Sequence, residues 1–391
     1  MLFLVSGLAL GLIFPFIAVL LQTRGFDPTS IGLVTAVAGV AFTFAVPVWG
    51  HLGDVTLGRA RAYQVAALGA GLVMLAYSAP LPSALLAAIV VGFFVFASAF
   101  APLGDALAVG LLPDPGRQYG RVRMLSSLSF AVSAIAAGYA YNEFGFGMAP
   151  LLWAAGAGAT VVVLVPLARI TQRRAVHRVG VKGGSVGLAL STQPRLWGIL
   201  AAVGLVYLGI AAGGTFLALR LIALGGQPSD VALNAGVSAL TEVPAMVAAT
   251  WAARRIGLRA LFSLSALVYC ACILSWAVLD TPAAIIATRL VSGVAYSGLW
   301  IALVLTMGVL LPKPLQASGQ ALNQMMAGGV AAVLGNTIGG VIYGQIGAGL
   351  FGVVGAIGLV GAAVAWVTLP ARRESQAALA AQRDAPAAGA G

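Results

Sequence analysis

Long apolar stretches, separated by turn residues and charges, recur along the whole chain. A helix crosses the hydrocarbon core of a bilayer with about 20 apolar residues, and each stretch is long enough to do so. A membrane β-barrel would instead alternate apolar and polar residues over strands of about ten residues. The sequence therefore predicts an all-α integral membrane protein. Its twelve predicted transmembrane spans are residues 2–22, 30–50, 62–80, 83–111, 120–142, 147–168, 195–222, 231–252, 260–279, 283–310, 318–344 and 347–368.

The composition supports a lipid-embedded chain. Of the 391 residues, 61% are hydrophobic and only 8% are charged, whereas soluble domains carry roughly 25% charged residues. A soluble fold with so few charges would expose large apolar patches. Cys270 and Cys272 lie two residues apart in an apolar stretch, and we expect them to be inert core residues.

Basic residues are concentrated on one side of the predicted topology. Turns that follow even-numbered spans, together with the C-terminal tail, hold 18 of the 21 Lys and Arg residues. The positive-inside rule then places both termini in the cytoplasm and the protein in the cytoplasmic membrane. Because this asymmetry accounts for the net charge of +11, no nucleic-acid partner is needed. The bilayer and a small-molecule substrate are the expected partners, and a monomer is the expected state.

The longest hydrophilic stretch divides the chain into two halves. Residues 169–194 form a predicted cytoplasmic connector between an N-terminal six-helix bundle, 1–168, and a C-terminal one, 195–369; residues 370–391 form a tail predicted to be disordered or a frayed helix. The turn LGRAR at 57–61 is echoed by IGLR at 256–259. Equivalent turns in the two halves favour two pseudo-symmetric bundles.

One loop carries a recognisable motif. Gly50-x3-Asp54 followed by Gly58-Arg59-x-Arg61 resembles the loop-2/3 signature of the major facilitator superfamily (MFS). Val55 stands where a basic residue is usual, and one extra residue precedes Gly58. The resemblance implies a charge latch that biases the outward-open state, with Asp54 as its carboxylate. The alternative is that these charges only fix the topology.

Two further motifs resemble the lactose permease-like branch of that superfamily. Phe14-Pro15-Phe16 matches its first span, and Tyr119-Gly120-Arg121-Val122-Arg123-Met124 matches the entry to its fifth span. This resemblance implies that Arg123 binds the substrate and pairs with Asp105, eighteen residues earlier. Helical rise also predicts comparable depths for these two charges on adjacent helices, and a facing pair offsets the roughly 2.5–3.5 kcal/mol cost of a charge at the bilayer centre.

Two more charges lie inside predicted spans. Glu242, in LTEVP, resembles the substrate or proton residue of the same branch, and a membrane acid is functional by default; its alternative is a structural hydrogen-bonded role. Arg289 is either a substrate or counter-ion cation, paired with Glu242, or a side chain that reaches the outer interface.

The chain departs from the sugar symporters of this branch. Arg289 takes the position of their span-ten Lys, while Ser292 and Ala295 replace their His and Glu. The two histidines, His51 and His177, lie in predicted loops. A histidine proton relay is therefore excluded, so Glu242 and Asp105 must carry any coupled protons. An uncoupled facilitator stays open.

Several polar residues in the spans are candidates to line a substrate cavity, each with a helix–helix hydrogen bond as its alternative. They are Ser126, Ser129, Tyr207, Tyr296, Trp300, Asn323 and Gln324. The motifs Gly335-x3-Gly339 and Gly340-x3-Gly344 in span eleven instead predict close packing between helices.

Together these patterns predict a secondary transporter of MFS fold that moves a small organic solute, such as a sugar or an aromatic acid, by alternating access. We expect no cofactor, because no Walker-type phosphate loop is present; a proton gradient is the candidate driving force. Drug or metabolite efflux by the same fold is an alternative. A membrane-embedded enzyme or lipid-handling protein is less compatible with the sequence, since no metal site or nucleophile–base pair can be composed.

Overall fold

The computed structural model describes residues 1–113, 115–173, 186–374 and 376. Each of the twelve predicted spans coincides with helical structure, and we number the spans in chain order. Spans 1 to 6 are Leu2–Thr23, Pro28–Thr56, Arg59–Ala76, Ser83–Leu111, Pro115–Phe144 and Phe146–Arg173. Spans 7 to 12 are Arg195–Ala223, Pro228–Ile256, Leu258–Val278, Pro282–Leu310, Lys313–Ile346 and Gly349–Thr368.

Eleven helices among the described residues are long and apolar enough to cross a bilayer. Span 3, Arg59–Ala76, falls outside this set because its first two turns carry Arg59, Arg61 and Gln64. The connector differs from a plain tether: span 6 continues as helix to Arg173, and Val186–Thr192 forms a short helix. Residues 174–185 of the connector and 377–391 of the tail lie outside the described residues.

Five spans deviate from a single regular α-helix among the described residues. Span 4 is broken between Ser83–Ala97 and Phe100–Leu111, and span 6 begins with the 3₁₀ turn Phe146–Met148. Span 1 is interrupted by the 3₁₀ turn Phe14–Phe16, which contains Pro15. Span 2 ends in a π-helical turn, Leu52–Thr56, and span 11 contains another at Met325–Val330. Such π turns leave backbone groups less regularly bonded, and in membrane proteins they lie where neighbouring helices can satisfy those groups.

The two halves repeat each other at matching turns. Six glycines have positive φ, a conformation that side chains with a Cβ rarely adopt. They form three pairs at the turns after spans 1 and 7, 2 and 8, and 5 and 11: Gly25 with Gly225, Gly58 with Gly257, and Gly145 with Gly347. The fold is thus two pseudo-symmetric six-helix bundles, as the sequence predicts.

An arginine near the end of the first span of each bundle confirms this repeat at the level of side chains. Arg24 donates to the carbonyl of Tyr77, with 2.6 Å between nitrogen and oxygen, at the end of span 3. Arg220, in the last turn of span 7, donates to the carbonyl of Leu279 over 3.1 Å at the end of span 9. Both guanidinium groups therefore satisfy carbonyls that a helix end leaves free.

The two glycine motifs of span 11 pack against different helices. A Cβ at Gly335 would approach the carbonyl oxygen of Leu208 in span 7, within the same bundle, to 2.5 Å. A Cβ at Gly340 would approach the carbonyl oxygen of Pro28 in span 2, in the other bundle, to 2.7 Å. The predicted close packing is confirmed, and it joins span 11 to both bundles at once.

Spans 5 and 8 meet across the boundary between the bundles. Near the beginning of span 8, Gly138 of span 5 has no room for a Cβ beside Ala232, and a Cβ at Gly236 of span 8 would lie 3.0 Å from the side chain of Ile135. Both contacts join the second half of span 5 to the first half of span 8.

Spans 2 and 11 also meet across this boundary. Gly32 and Gly340 lie in backbone contact, and Gly39 and Thr43, on the same face of span 2, face Val333 and Gly329 of span 11. The turns 51–59 and 254–259 lie at one end of the bundles, which we call the basic face. The backbone contact of Gly32 with Gly340 lies toward the opposite end.

Substitution of Gly335 tests the packing within the C-terminal bundle. Gly335→Ala should lower the free energy of unfolding by about 1–3 kcal/mol, because a new methyl group must displace the backbone at Leu208. The matched control is Gly352→Ala in span 12, where an added Cβ meets nothing within 4 Å. Equal melting temperatures of the two purified variants would contradict this packing.

Candidate functional site

A cavity of about 360 Å³ lies on the boundary between the bundles. Sites for small molecules commonly have volumes of about 300–1,000 Å³. The N-terminal bundle contributes apolar side chains and hydroxyls, and the C-terminal bundle contributes two charges of opposite sign. The lining residues are Leu10 from span 1, Ser126, Ser127 and Phe130 from span 5, Ala235, Ser238, Ala239 and Glu242 from span 8, and Arg289 from span 10.

Glu242 is held in the cavity wall by a short-range contact within span 8. The hydroxyl of Ser238, one turn earlier, donates to Oε1 of Glu242 over 3.0 Å. The backbone carbonyl of Glu242 accepts from the hydroxyl of Ser297 over 3.1 Å, which ties span 8 to span 10. In the described part of the chain, Oε2 of Glu242 has no hydrogen-bond donor, so this oxygen is available to a ligand or to water.

Arg289 is positioned by contacts to three helices. Its Nε donates to the carbonyl oxygen of Asn234 over 3.3 Å, and its Nη1 donates to the hydroxyls of Ser292 and Tyr269 over 3.0 and 3.4 Å. The guanidinium carbon lies 5.6 Å from the ring centroid of Trp276, in range for a cation–π contact. The side chain therefore faces the cavity. The direct ion pair with Glu242 that the sequence left open is not formed among the described residues.

Asp105 and Arg123 form a separate ion pair, with 3.4 Å between Oδ1 of Asp105 and Nε of Arg123. Neither residue lines the cavity. Arg123 lies one turn before Ser126 on span 5, toward the basic face, and its guanidinium carbon is 5.6 Å from the ring centroid of Phe3. The Arg123 and Asp105 side chains are 42% and 35% exposed. The pair thus lies one turn from the cavity, at the position that we call its mouth. Both side chains are partly exposed, although Oδ1 of Asp105 is buried without a hydrogen bond among the described residues.

The other predicted lining residues are distributed around the cavity. Ser126 lines it directly, whereas Tyr207 and Tyr296 continue a row of rings with Tyr269, at centroid distances of 6.3 and 6.4 Å. The hydroxyl of Ser129 bonds to the carbonyl of Ser126 instead.

Three predicted lining residues lie outside this cavity. Trp300 is half-buried, and Gln324 is exposed. Asn323 is buried and donates from Nδ2 to the carbonyl of Leu303 over 3.4 Å.

The predicted latch motif forms a local ion pair on the basic face. Nη2 and Nε of Arg59 lie 2.6 and 2.7 Å from Oδ1 of Asp54, and Nη1 of Arg59 donates to the carbonyl of Ala106 in span 4 over 3.3 Å. Gly58 is the residue directly before span 3, and the turn there gives it a positive φ of 78°, which favours glycine. By contrast, a Cβ at Gly50 would meet nothing within 4 Å, so packing does not require that glycine. Arg61 is exposed one half-turn beyond Arg59.

The sequence interpretation missed several residues of the site. Ser238 could have been found, because it lies four residues before Glu242 and so on the same helix face. Ser127, Phe130, Tyr269 and Trp276 carried no such signal, since hydroxyls and aromatic rings recur throughout the spans. The described residues include no group of three or more side chains suited to hold a metal ion.

Twelve spans in two related bundles, with a polar cavity at their boundary, define the class: this is a membrane transporter of the MFS fold. The chain belongs to the MFS_1 like family, whose sequence profile matches residues 1–352.

Two curated relatives cover most of the chain. Maltose permease of Geobacillus stearothermophilus is 27% identical over 340 residues, covering 85% of this chain and 84% of the relative. A probable 3-phenylpropionic acid transporter of Escherichia coli (strain K12) is 28% identical over 258 residues, covering 66% and 67%. The crystal structure of the nucleoside transporter NupG has a TM-score of 0.75 at 16% identity, covering 97% of this chain and 96% of that one, and shows the same fold.

Cysteine labelling tests whether the cavity is reached by water. In a background with Cys270→Ala and Cys272→Ala, we expect Ser127→Cys and Ser238→Cys to react with a small charged methanethiosulfonate, because both positions line the cavity. The control is Ser265→Cys, which is buried against Gly298 within the C-terminal bundle. Labelling at 265 as fast as at 127 and 238 would contradict the cavity.

Proposed function

We propose that this protein is a secondary transporter that moves a small organic solute by alternating access, with the cavity at the bundle boundary as its substrate site. The observation that carries the proposal is the placement of Glu242 and Arg289 in that cavity, opposite the hydroxyls of Ser126 and Ser127. Charges inside a membrane are costly and concentrate on substrate and ion pathways. A site shared by two bundles is the arrangement that rocking of one bundle against the other can expose to each side in turn.

The distribution of charge supports a cytoplasmic position for the basic face, in the inner membrane. With that orientation, the backbone contacts of Gly32 with Gly340 and of Gly138 with Ser229 lie toward the outer face. The ion pair of Asp105 and Arg123 then lies where a solute passes between the cavity and the cytoplasm. Because one chain supplies the whole cavity, we propose that the monomer is the functional unit.

The solute is a sugar, an aromatic acid or a related metabolite. Two relatives support these classes, since one is named a maltose permease and another a probable 3-phenylpropionic acid transporter. The cavity has the polar groups to bind either kind, with Glu242 and Arg289 as its charged candidates. Asp105 and Arg123, outside the cavity, are the charged candidates on the path that leads to it.

Proton coupling, where it occurs, runs through Glu242. It is the one acid among the residues that line the cavity, and its Oε2 has no hydrogen-bond donor among the described residues. Arg289 faces the same cavity without forming an ion pair with it. Proton uptake by Glu242 would leave Arg289 as an uncompensated cation, so occupancy of the cavity by solute and protonation of Glu242 would depend on each other.

The loop after span 2 is the proposed conformational latch. The ion pair between Asp54 and Arg59, and the bond from Arg59 to the carbonyl of Ala106, join this loop to span 4. Exposed ion pairs stabilise a fold by only about 0–1 kcal/mol. A difference of that size is nevertheless enough to shift an equilibrium between two conformations severalfold.

Replacement of the cavity acid tests the coupling. In proteoliposomes, Glu242→Gln should abolish solute accumulation that is driven by a pH gradient. Exchange of solute without a gradient should continue at about 10% or more of the unmodified rate, because only the proton site is lost. Glu143→Gln is the matched control, because Glu143 is exposed at the end of span 5. Gradient-driven accumulation that survives Glu242→Gln would exclude Glu242 as the coupling residue.

The hydrogen bonds that hold spans 5 and 8 together at the end opposite the basic face offer a second test, which addresses alternating access. Asn142 of span 5 bonds to the side chains of Gln227 and Ser229 over 2.8 and 2.9 Å, and accepts from the backbone N–H of Ser229 over 3.0 Å. Asn142→Ala removes these contacts between bundles, each worth about 0.5–1.5 kcal/mol. We expect a cysteine at Ala235 to react more than fivefold faster with an impermeant thiol reagent added outside the cell.

Glu143→Ala, beside Asn142, is the control for that experiment. Glu143 makes no contact across the bundle boundary among the described residues, so its removal should leave the labelling rate unchanged. Identical labelling in the two variants would count against a rocking motion that opens the outer face.

A further inference from the structure

The guanidinium of Arg289 has a donor group without an acceptor among the described residues. Its Nε and Nη1 are used by Asn234, Ser292 and Tyr269, whereas Nη2 has no hydrogen-bond acceptor in the described part of the chain. A guanidinium presents five N–H donors in a planar fork, so part of this fork stays open toward the cavity. The cation lies inside a bundle where an unneutralised charge is costly.

Several neighbours of Arg289 fix its position without neutralising it. Tyr269 and Ser292 accept through hydroxyls, Asn234 accepts through its backbone, and Trp276 offers its ring face. The described residues provide no carboxylate oxygen within 4.0 Å of it. Because every one of these partners is uncharged, Arg289 is preorganised as a cation whose counter-charge must come from outside its own contacts.

The rest of the cavity favours an apolar body beside the charge. Leu10 and Phe130 approach from the N-terminal bundle, and Ala235 and Ala239 approach from span 8. The remaining polar contributions to the wall are three serine hydroxyls and Glu242. A ligand with one anionic group and a compact apolar portion would satisfy both the open fork and this surface.

Buried polar atoms beside the site point to a missing polar partner as well. The hydroxyl of Tyr207 is buried without a hydrogen-bond partner, and Tyr207 is 5% exposed. Its ring lies 6.3 Å from that of Tyr296, whose ring is tilted against that of Tyr269. A buried hydroxyl without a partner is energetically costly, and this one belongs to the row of rings that leads to Arg289.

We propose that Arg289 is a carboxylate-binding residue and that the cargo class of this cavity is small organic monocarboxylates with an apolar body. The statement that these monocarboxylates are cargo rests on the proposed transport function, whereas the statement that Arg289 binds them does not. An anion on Nη2 of Arg289 supplies the counter-charge that its protein contacts lack. The N–H groups of Nη2 are the donors that remain for a carboxylate, and such charge-assisted hydrogen bonds are stronger than neutral ones.

Binding is tested on the purified full-length protein by thermal unfolding with matched acid and amide pairs. The probes are 3-phenylpropionate against 3-phenylpropanamide, benzoate against benzamide, and hexanoate against hexanamide, with maltose as a neutral polar probe. We expect at least one carboxylate to raise the melting temperature in a saturable manner, and its amide to bind at least tenfold more weakly. Equal effects of acids and amides, a response to maltose alone, or no response to any carboxylate would each overturn the inference.

Variants at position 289 test whether Arg289 is the residue that binds the carboxylate. Arg289→Gln should weaken carboxylate binding at least tenfold, and Arg289→Lys should weaken it less, because charge is kept while the fork is lost. Arg254→Gln, an exposed arginine at the end of span 8, is the matched control and should bind as the unmodified protein does. Unchanged affinity in Arg289→Gln overturns the assignment. If Arg289→Gln does not fold, the acid–amide contrast and Arg289→Lys still decide.

The binding and transport readings are separable. Carboxylate binding without carboxylate uptake into proteoliposomes would refute the proposed transport function and leave this inference standing. Uptake of maltose with no preference for carboxylates would refute this inference and leave the transporter standing.

Discussion

Hydrocarbon does not solvate charge, and this constraint decides where each ionic side chain of this protein can lie. Inside the spans, Asp105 and Arg123 meet each other, and Arg24 and Arg220 reach carbonyls at helix ends. Glu242 and Arg289 remain, and both line the cavity at the bundle boundary. A charge in lipid would cost several kcal/mol. The two charges that no neighbouring helix neutralises therefore lie in the wall of the cavity.

The two bundles touch through contacts of different chemistry. Spans 2 and 11 meet through Gly32 and Gly340, which bring backbones together without side chains. Spans 5 and 8 combine a similar close approach at Gly138 with hydrogen bonds from Asn142. Dispersion between small residues is lost gradually as helices separate, whereas a few hydrogen bonds break together. In the proposed transport cycle, the glycine contacts would therefore permit sliding and tilting, while the polar contact would set how firmly this face stays closed.

The pseudo-symmetry of the halves extends to this closure. Pro28 begins span 2 and packs its carbonyl on Gly340; Pro228 begins span 8 and packs its carbonyl beside Gly138. The two inter-bundle contacts are thus copies of one arrangement, with the same helix start placed against a glycine of the opposite bundle. In the alternating access that we propose, a repeated contact on both sides of the boundary would serve as a symmetric pivot for the two bundles.

Much of the fold could be predicted from the sequence because the signal is carried by many residues at once. Twelve apolar runs, charge asymmetry and the glycine motifs of span 11 each act over whole helices. The pairing of Asp105 with Arg123 was implied by the family resemblance, and the helical rise across one hairpin agreed with it by predicting comparable depths. The partners of Arg289 could not be predicted, because Asn234, Tyr269 and Trp276 come from spans 8 and 9, and their approach depends on helix packing that no local pattern encodes. The π-helical turn of span 11 at Met325–Val330 could not be predicted from the sequence either, since such a turn has no distinctive composition.

The difference between the two charge pairs bears on how the cavity can act. Asp105 and Arg123 are in contact, so their fields largely cancel a short distance away, and being partly solvated they are screened further. Glu242 and Arg289 share a cavity without contact, and each is held by uncharged partners. A ligand in that cavity meets two separate fixed charges in a medium of low dielectric constant, where interactions are stronger than at the mouth. Removal of either charge, by a proton on Glu242 or an anion on Arg289, changes the net charge of the cavity by a full unit. Binding of a solute and protonation can therefore influence each other at Glu242 and Arg289, rather than at the ion pair of Asp105 and Arg123.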